Sequence, residues 1–250
     1  MTTPDRTAVT LCVDIGGSGF KACLVNAAGE MTSERVRVDT PYPCPPDRFV
    51  QTVGTLTDPL RPADRVSVGF PGMVRQGRVL HVPSLSRASY SGSADPALES
   101  AWSGFDLQGA LRSRFDLDTR VVNDADMQGC AVVGGTGMEF VMTLGTGVGT
   151  ALFDDGRLLP HLELSHGPFK DSLTVDIAIG NAARKEIGHH RWLKRVRKAI
   201  SIFDDMLWFD RIYVGGGNAK HLEPADVGPK GTLVPNTAGL IGGVRIWEQG

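Results

Sequence analysis

The chain of 250 residues is long enough to bury a sizeable core in one large domain or in two modest ones. Its 26 basic and 28 acidic residues nearly balance, which argues against nucleic-acid and membrane partners. The four cysteines form no Cys-x-x-Cys pair, so we expect buried thiols at Cys12 and Cys23 and no disulfide framework. A polar start without an apolar core, and no run of transmembrane length, predict a protein of the reducing cytoplasm.

The first predicted elements are two strands joined by a glycine-rich turn. Strands are predicted over residues 9–14 and 20–25, with the turn at 15–19, a second turn at 26–29 and a third strand over 31–38. Residues 17–22 also satisfy the dinucleotide-binding pattern Gly-x-Gly-x-x-Ala. That pattern needs a helix after the glycines, whereas a strand is predicted here, so a nicotinamide or flavin site is the disfavoured alternative.

The next segments alternate between helices and strands. A proline-rich connection at 39–46 precedes a helix over about 47–57, and a buried strand over 66–70 ends in Pro71-Gly72. Residues 84–103 are rich in Ser, Ala and Pro and predict no element. They are interpreted either as a surface loop without a ligand role or as part of a pocket wall. Asp106 is the predicted N-cap of a helix that runs to about Phe115.

Residues 121–150 combine two chemical features. A short strand ends in Asn123-Asp124, which places a carboxylate at a strand end, and a helix follows over about 125–133. A buried strand over 140–144 then leads into Gly145-Thr-Gly-Val-Gly-Thr150, a bend that lets backbone N–H groups converge on phosphate. Residues 140–161 repeat the order strand, glycine turn, strand, turn, strand seen at 9–38. We therefore predict one unit used twice, with two glycine-rich loops that clamp a chain of phosphates.

The last third of the chain is predicted to contain a long helical region, a strand and a final helix that packs on the first domain. A helix over 176–208, broken near Gly188, carries an apolar stripe of core-facing side chains. Residues 184–198 hold seven Arg or Lys against one Glu. This basic face either attracts a polyanion such as polyphosphate or is simply a solvated helix face. A strand over 211–214 opens into three glycines, and a helix over 238–247 packs on the first domain. The predicted domains are 1–117 with 238–250, and 118–237. The stripe consists of Trp192, Val196, Ile200, Phe203 and Leu207.

Four motifs occur in the order found in sugar kinases of the ROK family. They are Asp14-Ile-Gly-Gly-Ser-Gly-Phe-Lys21, Asn123-Asp124, Leu144-Gly-Thr-Gly-Val-Gly149 and Val214-Gly-Gly-Gly-Asn218. The chain resembles this family over nearly its whole length, and most of all its short polyphosphate glucokinases. The resemblance implies an actin/hexokinase-like (ribonuclease H-like) α/β fold with two domains, duplicated strand–Gly loop–strand units and an interdomain cleft. It also implies a cytoplasmic, homodimeric phosphotransferase with an alcohol acceptor and with polyphosphate or ATP as the donor.

The resemblance implies a role for each matching residue. Asp124 would be the general base, and Asp14 would hold Mg²⁺, mostly through water. Because the chain lacks the zinc-ligand cysteine cluster that many ROK proteins carry after the sugar-binding His, no zinc is expected. The implied sugar-binding residues are Gly72, Asn123, Asp124, Glu163 and His166. The implied phosphate- or nucleotide-binding residues are Asp14, Gly16, Gly17, Ser18, Gly19, Lys21, Gly145, Thr146, Gly147, Gly215, Gly216 and Gly217.

Two departures from the family pattern concern the acceptor. Ser165 replaces the Gly of the family's Glu-x-Gly-His, and Pro168 stands where the polyphosphate glucokinases carry a further Glu. We therefore expect weaker or altered sugar selection, and a kinase for a modified sugar, an amino sugar or a cyclitol is the alternative. A sugar-binding protein without catalysis is a second alternative, against which Asp124 and both glycine loops count. A ROK-type repressor needs a helix-turn-helix ahead of the first strand, where only eight residues stand, and is not expected.

Overall fold

The computed structural model describes residues 7–235 and 238–249. Contacts divide them into two compact units, one holding the described residues up to Ala131 and those from Gly239 onward, the other those from Val132 to Ala238. The predicted division between residues 117 and 118 differs from this grouping. The reason is that the strand Asp118–Asn123 pairs in parallel with the strand Arg65–Phe70 and so completes the sheet of the first unit.

Numbered along the chain, the strands and helices of the described residues alternate as an α/β protein. The strands are β1 (Thr10–Gly16), β2 (Gly19–Val25), β3 (Val36–Val38), β4 (Arg65–Phe70), β5 (Met73–Arg75), β6 (Arg78–His81), β7 (Asp118–Asn123), β8 (Met138–Leu144), β9 (Val148–Asp154), β10 (Arg157–Leu158), β11 (Pro168–Lys170), β12 (Leu173–Thr174), β13 (Arg211–Gly215) and β14 (Gly231–Leu233). The helices are α1 (Pro46–Thr57), α2 (Pro96–Trp102), α3 (Leu107–Phe115), α4 (Asp124–Val132), α5 (Val175–Ile179), α6 (Asn181–Ile187), α7 (His189–Leu207) and α8 (Ala238–Arg245).

Each unit contains its own five-stranded sheet, and the two sheets have the same topology. The strand order is β3-β2-β1-β4-β7 in the first unit and β10-β9-β8-β13-β14 in the second. In each sheet an antiparallel hairpin is joined by two strands parallel to its first strand. The predicted duplication of a strand–glycine loop–strand unit is therefore confirmed. The third strand, predicted over 31–38, is shorter because the Ser33 hydroxyl accepts the N–H of Leu24 at 2.9 Å in place of a ladder partner.

Residues 84–103 are more ordered than the sequence predicts. They contain α2, whose N-cap Asp95 accepts the N–H of Ala97 at 2.9 Å. Trp102 at the end of this helix is buried, packs edge-on against Phe49 at 5.4 Å and donates its indole N–H to the oxygen of Cys44 at 2.9 Å. The interpretation of the whole segment as a surface loop is therefore wrong, because α2 supplies part of the first core.

The helical region of the second unit consists of three helices: the predicted break near Gly188 is confirmed, and a second break divides α5 from α6. Breaks occur at Gly180 and at Gly188, whose φ of +80° ends α6. Three members of the predicted stripe are fully buried in α7, which confirms that this face points to the core; Ile200 and Leu207 are half-buried. The buried members are Trp192, Val196 and Phe203.

The four cysteines are all buried, free thiols. Cys12 and Cys23 are direct partners across β1 and β2, and burial raises the pKa of Cys23 to about 11 and that of Cys12 well above its ordinary value. Both are therefore unreactive, as expected for packing residues. Among the described residues, no helix is long and apolar enough to cross a membrane.

Helix α8 packs closely on the first sheet through its glycines. An ideal Cβ on Gly243 would lie 2.6 Å from the Cys12 sulfur, and one on Gly242 would clash with the backbone oxygen of Met127. The oxygen of Gly243 also accepts the Ser67 hydroxyl at 2.6 Å. The close approach of α8 therefore requires residues without side chains at these two positions.

We expect Gly242→Ala to destabilise the protein by at least about 2 kcal/mol, because the clashing atom belongs to the backbone and cannot rotate away. Gly239→Ala is the matched control, since its Cβ would meet only Asp14, at 3.9 Å. In the same helix it should gain about 0.5–1 kcal/mol from higher helix propensity. Urea unfolding compares the two. Equal midpoints for both variants would show that α8 is not packed as described.

Candidate active site

The turn between β1 and β2 presents backbone N–H groups at the carboxyl edge of the first sheet. The Thr40 hydroxyl donates to the oxygen of Gly16 at 2.7 Å, and the Tyr42 hydroxyl donates to that of Gly17 at 2.8 Å. The N–H groups of Gly17 and Ser18 donate to no acceptor within the described chain. A turn whose carbonyls are engaged and whose N–H groups remain available favours an anion.

Asp14 and Lys21 face each other across the same strand pair. The Lys21 Nζ lies 3.1 Å from the Asp14 Oδ2, and the two side chains are 33% and 25% exposed, so a ligand can reach both. Over residues 7–235 and 238–249 no group of three or more His, Cys, Asp or Glu could hold a metal ion. Mg²⁺ is commonly held by one or two carboxylates and completed by water and substrate phosphates. Asp14 fits that mode of binding and not a closed protein cage.

Asp124 lies at this same edge of the first sheet. It begins α4 directly after β7, is half-buried, and its Oδ1 accepts the N–H of Ala125 at 2.9 Å. The strand register aligns Asp14 with Gly69 and Gly69 with Val122. Since β1, β4 and β7 are parallel, their carboxyl ends bring Asp14, the glycine turn and Asp124 to one edge, where open α/β sheets bind ligands.

Asn123 is fixed by internal hydrogen bonds. Its Nδ2 donates to the oxygen of Gly72 at 3.1 Å, its Oδ1 accepts the N–H of Ala125 at 2.8 Å, and the residue is 5% exposed. A Cβ on Gly72 would clash with the backbone oxygen of His81. Asn123 therefore ties the Pro71-Gly72 turn to the start of α4, a positioning role that the sequence did not reveal.

The loop 145–147, which follows β8, corresponds in the second unit to the β1–β2 turn of the first. Asn218 donates its N–H to the oxygen of Leu144 and its Nδ2 to that of Gly145, both at 2.8 Å. The N–H of Asn181 donates to the oxygen of Thr146 at 3.2 Å. The N–H groups of Thr146 and Gly147 have no acceptor in the part of the chain that the structure describes. This loop is therefore also suited to an anion.

A carboxylate that the sequence analysis missed holds the far side of this loop. The Val148 N–H donates to Asp176 Oδ1 at 2.6 Å, and a Cβ on Gly147 would clash with the same oxygen. Gly147 does not have a positive φ. A glycine is thus required at this position because Asp176 approaches closely, and not because the backbone is left-handed.

The third glycine-rich segment lies beside the loop 145–147. Gly215 at the end of β13 pairs with Thr143 of β8, and Gly216 has a φ of +85°. A Cβ on Gly216 would lie 2.5 Å from the oxygen of Leu144. Gly216 and Gly217 therefore occupy the edge of the second sheet next to the loop 145–147.

The predicted sugar-binding residues of the second unit surround a 3₁₀ turn at Leu164–His166. Glu163 precedes it, and its Oε1 lies 3.6 Å from the Nε2 of the buried His161. His166 is exposed, and its backbone N–H donates to the oxygen of Glu163 at 3.1 Å. The turn thus brings Glu163 and His166 together, with His161 beside the carboxylate.

The two positions that depart from the family pattern lie in and after this turn. Ser165 is buried, and its hydroxyl has no hydrogen-bond partner among the described residues. Pro168 is exposed at the start of β11, where it is the register partner of Thr174. A buried hydroxyl without a partner is costly, so Ser165 needs a physical reason to be there.

Several positioning residues could be found only in three dimensions. They donate to, or accept from, loop atoms that are distant in the chain, and no spacing rule connects them to the glycine motifs. They are Thr40, Tyr42, Asp176 and Asn181.

The duplicated sheet with a glycine-rich turn in each unit is the actin/hexokinase-like α/β fold of sugar kinases. The model of the ROK family matches residues 10–162, which is more than half of the chain. The chain therefore belongs to the ROK family, as its motifs predict.

Among curated proteins, a polyphosphate glucokinase of Mycobacterium tuberculosis is 24% identical over 244 residues, covering 92% of this chain and 88% of that protein. An N-acetylmannosamine kinase of Escherichia fergusonii is 30% identical over 156 residues, 60% of this chain and 49% of that protein. The crystal structure of an inorganic polyphosphate/ATP-glucomannokinase from Arthrobacter sp. strain KM has a TM-score of 0.79 and 28% identity, covering 96% of this chain and 98% of that chain. These relatives confirm the predicted enzyme class, a phosphotransferase with an alcohol acceptor.

Proposed function

We propose that the protein transfers a phosphoryl group from polyphosphate or ATP to a hydroxyl of a hexose, the 6-hydroxyl of a glucose-like sugar. The observation that carries this proposal is the common edge of the first sheet, where Asp14, the β1–β2 turn and Asp124 lie together. It supplies a carboxylate for a proton and N–H groups for a phosphate. The relatives named polyphosphate glucokinase and polyphosphate/ATP-glucomannokinase support the choice of donor and acceptor.

In this proposal Asp124 takes the proton of the acceptor hydroxyl as it attacks the phosphorus. The Ala125 N–H holds one carboxylate oxygen in place. Asn123 and Gly72 position the acceptor near Asp124. Glu163 and His166 exchange hydrogen bonds with the sugar hydroxyls. Such positioning supplies much of the rate enhancement in a transfer between two bound reactants.

The phosphates bind to the backbone N–H groups of the two glycine-rich turns. Lys21 adds a positive charge that offsets the negative charge of the transferred group. Asp14 would hold Mg²⁺, mostly through water, and the ion would supply positive charge that offsets the charge on the phosphoryl oxygens. This division of labour fits phosphoryl transfer, in which positioning and charge stabilisation dominate.

The experiment that tests the proposal is a donor-by-acceptor matrix with purified protein and Mg²⁺. Polyphosphate and ATP are each combined with glucose, mannose, amino sugars and cyclitols, and the phosphorylated product is measured. We expect a sugar 6-phosphate with at least one donor. No product with any pair, from folded protein, would refute the proposal in favour of a sugar-binding protein.

A modified sugar is the second candidate acceptor, and the chain's own residues favour it. Pro168 has neither a side-chain acceptor nor an N–H, so one hydroxyl contact expected of a glucose site is missing. The similarity to an N-acetylmannosamine kinase points to the same class.

We expect glucose either to have a KM above the usual upper range of about 1 mM or to be outcompeted by a sugar that lacks or modifies one hydroxyl. Pro168→Glu should raise kcat/KM for glucose by about tenfold or more, the value of one charge-assisted hydrogen bond. Pro168→Ala is the control, because it removes the ring and adds no acceptor. A low-micromolar KM for glucose in the unmodified protein would show that Pro168 does not affect sugar selection.

We also propose that the protein is a cytoplasmic homodimer, as the resemblance implies. Light scattering on the purified protein measures its mass, and a monomer at assay concentration would remove the dimer from the proposal.

A further inference from the structure

Four side chains able to carry positive charge lie together in the second unit. Arg184 belongs to α6, His189 begins α7, and Lys220 and His221 belong to a 3₁₀ turn at Ala219–His221. The His189 and His221 rings are 6.3 Å apart between centroids. Arg184 and Lys220 act electrostatically on His221, which places all four in one group. We call these four residues the basic cluster.

No carboxylate among the described residues forms an ion pair with the basic cluster. Lys220 and His189 are exposed, and neither forms an ion pair among the residues that the structure describes. Asp226 is close enough to His189 to interact with it. However, Asp226 is bound to Arg197, whose Nη2 lies 2.5 Å from its Oδ1. Burial favours the neutral acid, but the Glu223 N–H and Arg197 together keep the pKa of Asp226 below its ordinary value, so it remains an ion committed to Arg197.

Arg184 has a donor without an acceptor. Its Nη2 donates to Asn181 Oδ1 at 3.1 Å, whereas its buried Nε has no hydrogen-bond partner in the described chain. An unsatisfied buried donor on a charged group is unfavourable, and an anionic ligand would remove that cost.

Two of the three elements that carry the basic cluster, α6 and the 3₁₀ turn, are hydrogen-bonded to the loop 145–147. Asn181, the partner of Arg184, donates its N–H to the oxygen of Thr146. Asn218, which immediately precedes the turn with Lys220 and His221, donates its Nδ2 to the oxygen of Gly145. The basic cluster therefore lies next to the loop and is rigidly connected to it.

This arrangement narrows the basic face predicted over residues 184–198. Arg197 is bound to Asp226, Arg195 donates to the oxygen of Ala178 at 3.2 Å, and Lys198 lies 4.9 Å from the centre of the Phe169 ring. These side chains already have partners. Lys185, Arg191 and Lys194 are exposed and form no ion pair among the described residues, so the charge available to a ligand comes from these three side chains together with the basic cluster.

We propose that the basic cluster binds the phosphates of a polyphosphate donor that lie beyond those held by the loop 145–147. The proposal rests on the proposed function, because it requires the donor to bind to that loop. A nucleotide continues from its phosphates into ribose and base, which carry no negative charge, whereas polyphosphate continues as a polyanion. The basic cluster thus favours the polymer over the nucleotide, and binding to exposed positive charges is strongly dependent on salt.

His221 makes this binding dependent on pH. Burial, and then the positive charges of Arg184, Lys220 and His189, lower the pKa of His221. A bound polyanion raises that pKa, so binding takes up a proton and tightens as the pH falls through the raised pKa of the complex; the gain is complete below the lowered pKa of the free protein. Internal phosphates of a long polymer do not titrate in this range, so the dependence reports the protein.

The test compares Lys220→Gln/His221→Gln with the control Lys170→Gln/Arg211→Gln, which removes two exposed cations from the same unit away from the basic cluster. We expect the first variant to raise the KM for long-chain polyphosphate about tenfold, to flatten its salt and pH dependence, and to leave kcat unchanged. The KM for ATP should change by less than about twofold, and tripolyphosphate should be affected less than the long polymer. The control should behave as the unmodified protein does.

Calorimetric titration with long-chain polyphosphate, without a sugar, separates this inference from the proposed function. If polyphosphate binds to the unmodified protein and binds about tenfold more weakly to the cluster variant, the inference is supported even where no transfer is measured. Equal losses for ATP and polyphosphate would overturn it, because the basic cluster would then bind a part that both donors share. Unchanged binding of the polymer, in a variant with an unchanged melting temperature, would overturn it as well.

Discussion

Asp124→Asn is expected to lower turnover by at least about a hundredfold, the contribution of a positioned general base, while the protein folds as before. Asn keeps the size of the side chain and can still accept the Ala125 N–H, which holds Asp124 Oδ1 at 2.9 Å. It cannot take the proton of an attacking hydroxyl. The loss should therefore appear in kcat, with KM for both substrates nearly unchanged.

Asp116→Asn is the matched control for this variant. It makes the same chemical change at an exposed residue with a φ of +53°, a conformation that Asn tolerates well. Steady-state kinetics of both variants with the best donor and acceptor provide the measurement. Turnover of the Asp124 variant within about threefold of the control would remove Asp124 from the mechanism as a base.

The repeated unit could be predicted because its signals are local. In both copies a glycine-rich turn separates two apolar stretches, and the pairing of Gly16 with Gly19 follows directly from such a short turn. The same local reasoning found the N-cap Asp106, which accepts the N–H of Gly109 at 2.9 Å. Where turn and cap chemistry determine the backbone, the sequence is sufficient.

Helix α2 was missed although its start carries a local signal. Asp95 followed by Pro96 is a capping residue with proline at the first helical position, and the structure uses both. The surrounding Ser and Gly residues hide the signal, and seven helical residues are too few for an apolar period to appear. The burial of Trp102 decides the outcome, since tertiary packing stabilises a helix this short.

The residues around the glycine turns could not be predicted from spacing. Thr40 and Tyr42 donate hydrogen bonds to Gly16 and Gly17 from a connection whose sequence shows only that it is proline-rich. Asp176 accepts the N–H of Val148 from a separate helix. Each contact depends on how distant segments are packed. Sequence patterns therefore predict which backbone could bind phosphate, whereas the structure shows what holds that backbone in position.

Gly147→Ala is expected to lower kcat/KM by about a hundredfold with either donor, because a displacement of about 1 Å in a positioning loop has an effect of that size. The added Cβ would clash with Asp176 Oδ1, the atom that accepts the Val148 N–H. Either Asp176 moves and leaves that N–H unpaired, or the loop moves away from the phosphate. Gly145→Ala is the matched control for stability and loop position, since its Cβ would meet only the oxygen of Gly147 at 3.9 Å.

A double-mutant cycle with Asp176→Ala identifies the clash as the cause. Asp176→Ala alone should weaken the loop by removing the acceptor of Val148. Because it also removes the clashing oxygen, adding Gly147→Ala to it should cost little more. Strict additivity of the two losses in kcat/KM would contradict this account, as would a Gly147→Ala enzyme as active as Gly145→Ala. Thermal unfolding of all four proteins distinguishes a displaced loop from a protein that no longer folds, and only a displaced loop in folded protein supports a role for Gly147 in donor binding.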